Sequence, residues 1–386
     1  MIRDISEKIK YIGADDPDID LFESQYVVPD GMCYNSYVIL DDKIAVMDTI
    51  DRRKTDEWFD NLDKVLNGRT PDYLIISHME PDHAYNIQKA AEKYPEMKLV
   101  GNDKTFKMFP QFFTLDIKDR AVTVKEGETI TLGTHSLTFY MAPMVHWPEV
   151  MVTYEANEKI LFSADGFGKF GVIDAEPDDW ACEARRYYFN IVGKYGAQVQ
   201  ALLKKAAKLD IQTICPLHGP ILTENLGYYI GLYDTWSKYE PEDDGIFIAH
   251  ASVHGNTKEA AEKLYEILKS KTDKPVVITD LTRSDLHEAI EDAFRYSKMI
   301  MLAPTYDGGI FPVANDFLYH LKIKTYRNRK VAIVENGSWA PMAGKVMREY
   351  FEGMKDVEIS PVTVTIRSAV SEETVKQLEE LADSML

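Results

Sequence analysis

Apolar and polar positions fall into two different rhythms along the chain. Up to about residue 240, short apolar runs separated by turn residues dominate. They predict strands at Tyr26–Val28, Asn35–Leu40, Ile44–Asp48, Asp72–Ser77, Lys98–Val100, Ala121–Val124, Leu137–Tyr140, Val150–Tyr154 and Lys159–Ser163. Helical spacing appears only between some of them, at Lys54–Leu66, Ala84–Tyr94 and Asn225–Lys238. Strands in hairpins with occasional helices suit two packed sheets under outer helices better than a doubly wound parallel sheet. After residue 245 the rhythm becomes strictly alternating. Strands at Ile246–His250, Pro275–Thr279, Lys298–Ala303 and Lys330–Val334 are interleaved with helices at Thr257–Lys269, Asp285–Tyr296 and Phe311–Leu321, and a helix, strand and helix fill Gly344–Leu386. That is the pattern of an open parallel sheet with helices on both faces, which takes ligands at the carboxyl ends of its strands. Between the two rhythms lies Tyr239–Gly245, with a Pro, four acids and a Gly, which reads as a linker between domains at 1–243 and 244–386.

Composition narrows the picture. A length of 386 residues accommodates two or three domains with full cores. The net charge of −19 excludes nucleic acid as a partner, because its phosphates would be repelled. The one basic run, Lys322–Lys330, reads as a solvated helix end. Cys33, Cys182 and Cys215 are scattered and lack the CxxC spacing of a zinc site, a rubredoxin iron or a redox disulfide. Met1–Asp20 has no signal-peptide core, and no stretch reaches the ~20 apolar residues of a membrane span. The expectation is a soluble, cytoplasmic protein.

Chemistry concentrates in His78-Met79-Glu80-Pro81-Asp82-His83, which sets two imidazoles and two carboxylates between a strand and a helix. These are ligands of borderline and hard first-row metals, and alternate residues of an extended loop can address two neighbouring ions. A single His or Asp in a loop is ordinarily a cap or a solvated residue, and Asp82 alone would be a helix N-cap. Four donors in six residues go beyond that. Three further donors fall where strands end: His146 before Trp147-Pro148, Asp165 before Gly166, and His218 before Gly219-Pro220. His135, in Gly133-Thr134-His135-Ser136, reads as a hairpin residue.

In the second half, three loops occupy strand ends. Ser252-Val253-His254-Gly255-Asn256-Thr257 sets hydroxyls, an amide and a Gly at a helix start, where free N–H groups favour a phosphate. Pro304-Thr305-Tyr306-Asp307-Gly308-Gly309 and Asn336-Gly337-Ser338-Trp339-Ala340 each join an aromatic to permissive backbone, so Tyr306 and Trp339 could flank a flat ring.

The order His-x-Glu-x-Asp-His, then His146, Asp165 and His218, resembles the di-iron domain of the flavodiiron proteins, a branch of the metallo-β-lactamase fold. The segments Glu80–Ala84, His146–Pro148 and Leu161–Asp165 share that resemblance, and the three later loops resemble the FMN site of the flavodoxin-like domain that follows it in the family. One departure is Ala251, where the family often has Asp. The resemblance implies an αββα sandwich followed by a flavodoxin-like doubly wound sheet. It implies that His78, Glu80 and His146 bind one iron, that Asp82, His83 and His218 bind the other, and that Asp165 bridges them, with no catalytic residue beyond these ligands. It further implies FMN, dioxygen or nitric oxide as substrate, and a head-to-tail homodimer, with a dimer of dimers as the larger assembly. The donor it implies is a separate rubredoxin or another reduced carrier, with coenzyme F420 serving some archaeal members. Hydrolytic relatives usually have His where Glu80 stands; a carboxylate there stabilises higher oxidation states of a redox metal, against the alternative of a zinc hydrolase fused to a flavodoxin-like electron carrier.

Overall fold

A computed structural model describes residues 1–175 and 180–386. Packing divides them into two compact units, the first formed by 1–188 and 197–234, the second by 189–196 and 235–386. In the first unit, β1 (Arg3–Asp4), β2 (Ile9–Tyr11), β3 (Tyr37–Leu40), β4 (Ile44–Met47), β5 (Tyr73–Ile75), β6 (Lys98–Gly101) and β7 (Ala121–Thr123) lie side by side in chain order. Pairing is antiparallel as far as β4 and parallel beyond it. A second sheet holds β8 (Thr129–Thr131), β9 (Ser136–Met141), β10 (Met151–Glu155), β11 (Ile160–Phe162) and β12 (Thr213–Cys215), again in chain order. Its first three pairings are antiparallel and the last is parallel. Strands β9, β11 and β12 therefore run the same way, and their carboxyl-end loops open at one edge.

Alternation brings the sheets together. Tyr37, Ile39, Ala45 and Met47 share one apolar cluster with Leu137, Phe139, Ile160, Phe162 and Cys215 of the other sheet. The intervening Val38, Val46, Leu74 and Leu99 are buried as well, so the outer face of the first sheet is also covered. The helix Thr55–Leu66 turns Trp58, Leu62 and Leu66 inward, and the Trp58 indole donates to Ser36 Oγ at 3.0 Å. His135 lies on the β8–β9 hairpin, fully enclosed between Asp41 (Nδ1 to Oδ2, 2.8 Å) and Glu158 (Nε2 to Oε1, 3.0 Å).

In the second unit, β13 (Asp243–His250), β14 (Val276–Asp280), β15 (Tyr296–Tyr306), β16 (Arg329–Asn336) and β17 (Val357–Ile366) form a parallel sheet in the order β14-β13-β15-β16-β17. This is the flavodoxin order, with its switch point between β13 and β15. One face carries Ile246, Ile248, Ile300, Leu302, Ala332 and Val334 against Leu264, Leu268, Leu378 and Leu381 of the helices Asn256–Lys271 and Glu372–Met385. The opposite residues Phe247, Met299, Met301, Val331 and Ile333 are equally buried.

Two sequence expectations change here. The Tyr239–Gly245 stretch is packed: Tyr239 Oη donates to Gly193 O at 2.7 Å, Glu242 accepts from the Trp236 indole at 2.7 Å, and Asp243 accepts from Arg295 Nε at 2.7 Å. Asp244 pairs with Lys274 at 2.6 Å, so three of its four acids have partners, and Glu240 is exposed. The basic run is only partly solvated. Lys324 Nζ donates to Asn190 O at 2.5 Å, and the buried Arg329 guanidinium donates to the carbonyls of Tyr296 and Tyr239, each at 2.7 Å, and to that of Phe294. Burial lowers the Arg329 pKa to about 10.

Candidate functional site

Each donor of the first unit sits just past a strand end. His78 and Glu80 follow β5, while Asp82 and His83 lie inside a one-turn helix, Pro81–Ala84, with Pro81 at its first position, where a missing N–H costs nothing. The helical spacing to Tyr94 is broken, and a separate helix runs over Ile87–Lys93. Asn86 interrupts it: its side chain is buried, donates to Ile50 O at 2.7 Å and accepts from Thr55 Oγ1 at 2.8 Å. His146, Asp165 and His218 stand in the loops after β9, β11 and β12.

Among the described residues these donors form two groups, His78 with Glu80, His146 and Asp165, and Asp82 with His83 and His218. In the first, Glu80 Oε2 is 3.1 Å from His78 Nε2 and 3.0 Å from His146 Nε2, and Asp165 Oδ2 is 3.3 and 3.5 Å from the same two nitrogens. In the second, His83 Nε2 is 2.9 Å from His218 Nε2, Asp82 Oδ2 is 3.3 and 3.2 Å from them, and Asp165 Oδ1 is 3.6 and 3.8 Å away. Ligand bonds of ~2.1 Å place neighbouring ligand atoms ~3.0 Å apart in an octahedron and ~3.4 Å apart in a tetrahedron. The spacings match the edges of two coordination shells. Asp165 gives one oxygen to each shell, and neither oxygen has a hydrogen-bond partner although the residue is buried. A carboxylate so placed fits a bridge between two cations.

The electrostatics agree with that fit. Burial works against charge on His146, yet Asp165 and Glu80 outweigh it and raise its pKa to about 9. Burial pushes the Glu80 carboxyl up, but His146 and His78 prevail and hold it near 2. Asp165 is held well below the usual carboxylate range by His78 and His146 despite its burial. Without metal, only protons on the imidazoles can offset these carboxylates; divalent cations between them would do the same and satisfy the orphaned oxygens.

Behind the donors stand groups whose roles the residue pattern does not reveal. Glu149 Oε1 accepts from His78 Nδ1 at 2.8 Å and from Met79 N at 2.9 Å. His218 Nδ1 donates to Cys33 O at 2.8 Å, with the Phe22, Tyr34 and Tyr187 rings packed round its imidazole. The only hint was an acid directly after His146-Trp147-Pro148 in an otherwise apolar run.

In the second unit, a cavity of about 430 Å³ opens over the carboxyl ends of β13, β15 and β16. Ser252, His254, Asn256, Thr257, Pro304, Thr305, Tyr306, Asp307, Gly308, Asn336, Gly337, Ser338, Trp339 and Ala340 line it, joined by Val253, Met342 and Ser368, which sequence reasoning missed. Gly255 and Gly309 shape its walls from outside the lining. Gly255 caps the helix Asn256–Lys271 at φ +96°, and Gly309 pairs with Tyr306 across a tight hairpin. Several of the polar side chains already have partners: Thr305 Oγ1 accepts from Met342 N at 2.8 Å, Asn336 is clasped to the Ser368 backbone at 2.9 and 3.1 Å, Ser252 Oγ accepts from Gly255 N at 3.1 Å, and Ser338 bonds Ser368. These bonds fix Thr305 and Asn336 in place and leave the Thr305 hydroxyl hydrogen and the second Asn336 amide hydrogen to a ligand. Trp339, 82% exposed, and Tyr306, 45% exposed and edge-to-face with Phe311, stand at the rim. A helix amino terminus, polar loops and two aromatics suit a flat ring bearing a phosphate.

Comparison with known proteins agrees with both halves. Residues 32–219 match the family model described as "ODP family beta lactamase". The nitric oxide reductase of Moorella thermoacetica is 27% identical over 98% of this chain and 96% of its own length. The structure of rubredoxin oxygen:oxidoreductase from Desulfovibrio gigas superposes with a TM-score of 0.93 at 25% identity, covering 100% of this chain and 98% of that one. The flavodiiron protein from Giardia intestinalis has the same fold, with a TM-score of 0.89 at 21% identity over 100% and 97% of the two chains. Fold and site together define a two-unit protein in which a metallo-β-lactamase-like unit bearing a binuclear donor set is joined to a flavodoxin-like unit. The chain is similar along nearly its whole length to proteins of the flavodiiron kind.

Proposed function

We propose that this protein is a flavin-fed di-iron oxidoreductase that reduces dioxygen to water, nitric oxide to nitrous oxide, or both, as protection in an anaerobe. The observation that carries the reading is Asp165, whose two unpartnered oxygens each face a different donor group, one of which contains Glu80. Two ions held in this way by His78, Glu80, His146, Asp82, His83 and His218 are suited to iron, because the carboxylate at Glu80 stabilises the ferric state better than a neutral nitrogen would. The residues lining the second-unit cavity fit FMN: the amino terminus of Asn256–Lys271 would hold its phosphate, and Tyr306 and Trp339 would flank its ring. When bound, the flavin passes electrons from the carrier and the iron pair delivers them to the gas. Reduction of one dioxygen to two waters consumes four electrons and four protons; coupling two nitric oxides to nitrous oxide and water consumes two of each.

The residues of the chain contribute position and charge. His78, His83 and His218 are fully enclosed, while Glu80 and His146 are partly open, which leaves an accessible side for a small apolar gas. We take 1–243 as the metal-binding part and 244–386 as the flavin-binding part. The electron source is a separate rubredoxin or a comparable reduced carrier, and the working unit is a cytoplasmic head-to-tail homodimer. No helix among the described residues is long and apolar enough to cross a membrane.

Steady-state turnover with a reduced carrier and each gas in turn is the decisive experiment, together with metal analysis. About two irons per chain and turnover of at least one gas are expected; zinc in their place with no turnover would sink the reading. Asp165→Ala should lower iron content while flavin stays bound. Mixing His83→Ala subunits with Asn256→Ala subunits should restore activity only if flavin and irons cooperate across a dimer.

A further inference from the structure

The two metal positions share Asp165 but are backed by different groups. His78, in the first, hands its Nδ1 hydrogen to the fully buried Glu149 at 2.8 Å. His218, in the second, hands its Nδ1 hydrogen to a neutral backbone carbonyl, Cys33 O, at 2.8 Å. His83, also in the second, has no hydrogen-bond partner at Nδ1 among the described residues. The first position thus has Glu80 as a direct ligand and a second carboxylate pulling on His78, whereas the second has Asp82 alone. A carboxylate accepting from a metal-bound imidazole orients the ring, selects the tautomer that ligates through Nε2 and makes the nitrogen a stronger donor. Burial of Glu149 away from water amplifies the effect. Glu149 Oε1 also accepts from Met79 N at 2.9 Å, so the carboxylate cannot swing away without breaking a backbone contact on the metal loop itself.

We propose that Glu149 is a positioning residue that makes the two metal positions unequal, so that the ion held by His78, Glu80 and His146 is the harder of the two to reduce and stays ferric longest. The inference rests on the reading of the metals as iron. The charge and the orientation exerted by Glu149 can be separated, because a glutamine oxygen at the same place still accepts from His78 Nδ1 and Met79 N. Glu149→Gln therefore keeps the ring in place and removes only the negative charge, whereas Glu149→Leu removes both.

The test is a reductive titration of the iron-loaded protein, following the mixed-valence signal by electron paramagnetic resonance. In the unaltered protein the two one-electron steps should be separated. In Glu149→Gln the lower of the two midpoint potentials should rise towards the other, so that the mixed-valence species accumulates over a narrower range, with iron still at about two per chain. Glu149→Leu should lose iron from one position. An unchanged range in Glu149→Gln at full iron content, or a shift of the higher midpoint alone, overturns the proposal, as does full iron retention in Glu149→Leu. Absence of iron from the native protein would instead overturn the reading of the metals, so the two failures are distinguishable.

Discussion

At the scale of single residues, burial decides which polar groups matter. His135 is enclosed between Asp41 and Glu158, and although burial alone would lower its pKa, the hydrogen bonds to Glu158 and Asp41 raise it. A histidine whose folded pKa is raised contributes stability that is complete below its unfolded value of ~6.5 and fades as pH climbs through the folded value. Asp41, held well below its ordinary range by Lys8 and His135 against its burial, stays ionised throughout that window. His135→Gln should therefore destabilise the protein by about 1–3 kcal/mol at pH 6, where two carboxylates lose a charged partner, and by less at pH 9. Urea unfolding at the two pH values checks this; an equal or larger loss at pH 9 would mean that His135 acts by packing alone. The sequence showed His135 only as a hairpin residue, because neither Asp41 nor Glu158 is adjacent to it in the chain.

At the scale of elements, strands deliver chemistry and neighbouring segments decide what remains available. The run Lys322–Lys330 illustrates this: Lys322 is exposed, whereas Arg329 at the start of β16 is buried with its guanidinium bound to five carbonyl oxygens. Arg329→Met should cost about 2–4 kcal/mol, because those carbonyls lose a charged donor in a buried place, while Lys322→Ala should change stability by less than about 0.5 kcal/mol. Thermal melting of both variants tests the contrast. A similar small effect from each would show that the carbonyls find other donors. From composition alone the two cations look alike, since burial depends on which turn of chain lies over the strand end.

At the scale of the whole molecule, the chain folds as two units, each with its own core. Seven carboxylate and imidazole donors converge in the first unit, and Asp82, His83 and Asp165 among them have buried atoms without a partner. Cations that bind only the folded state stabilise it by mass action, so chelation should lower the melting temperature of this unit by several degrees and leave the second unit unchanged. Calorimetry before and after chelation should resolve two transitions, of which only one moves. Equal movement of both would mean that the units unfold together.

Much was legible from the sequence alone. The switch from hairpin spacing to strand–helix alternation announced the two architectures, because side-chain periodicity follows directly from backbone geometry. The candidate metal donors stood out for a different reason: coordination demands particular side chains, and His78 to His83 packs four of them into one loop. The three loops proposed to hold the flavin stood out through their glycines and aromatics. Tertiary structure alone decided that β9, β11 and β12 run in parallel and so bring His146, Asp165 and His218 to one edge. It also decided that Asn86 breaks the helix after the metal loop, that bonds to Met342 and Ser368 fix Thr305 and Asn336 in place, and that Glu149 stands behind His78. Each of these depends on a contact between residues far apart in the chain. Local pattern carries no information about such a partner, since the same side chain serves equally well as cap, core or ligand until something is packed against it.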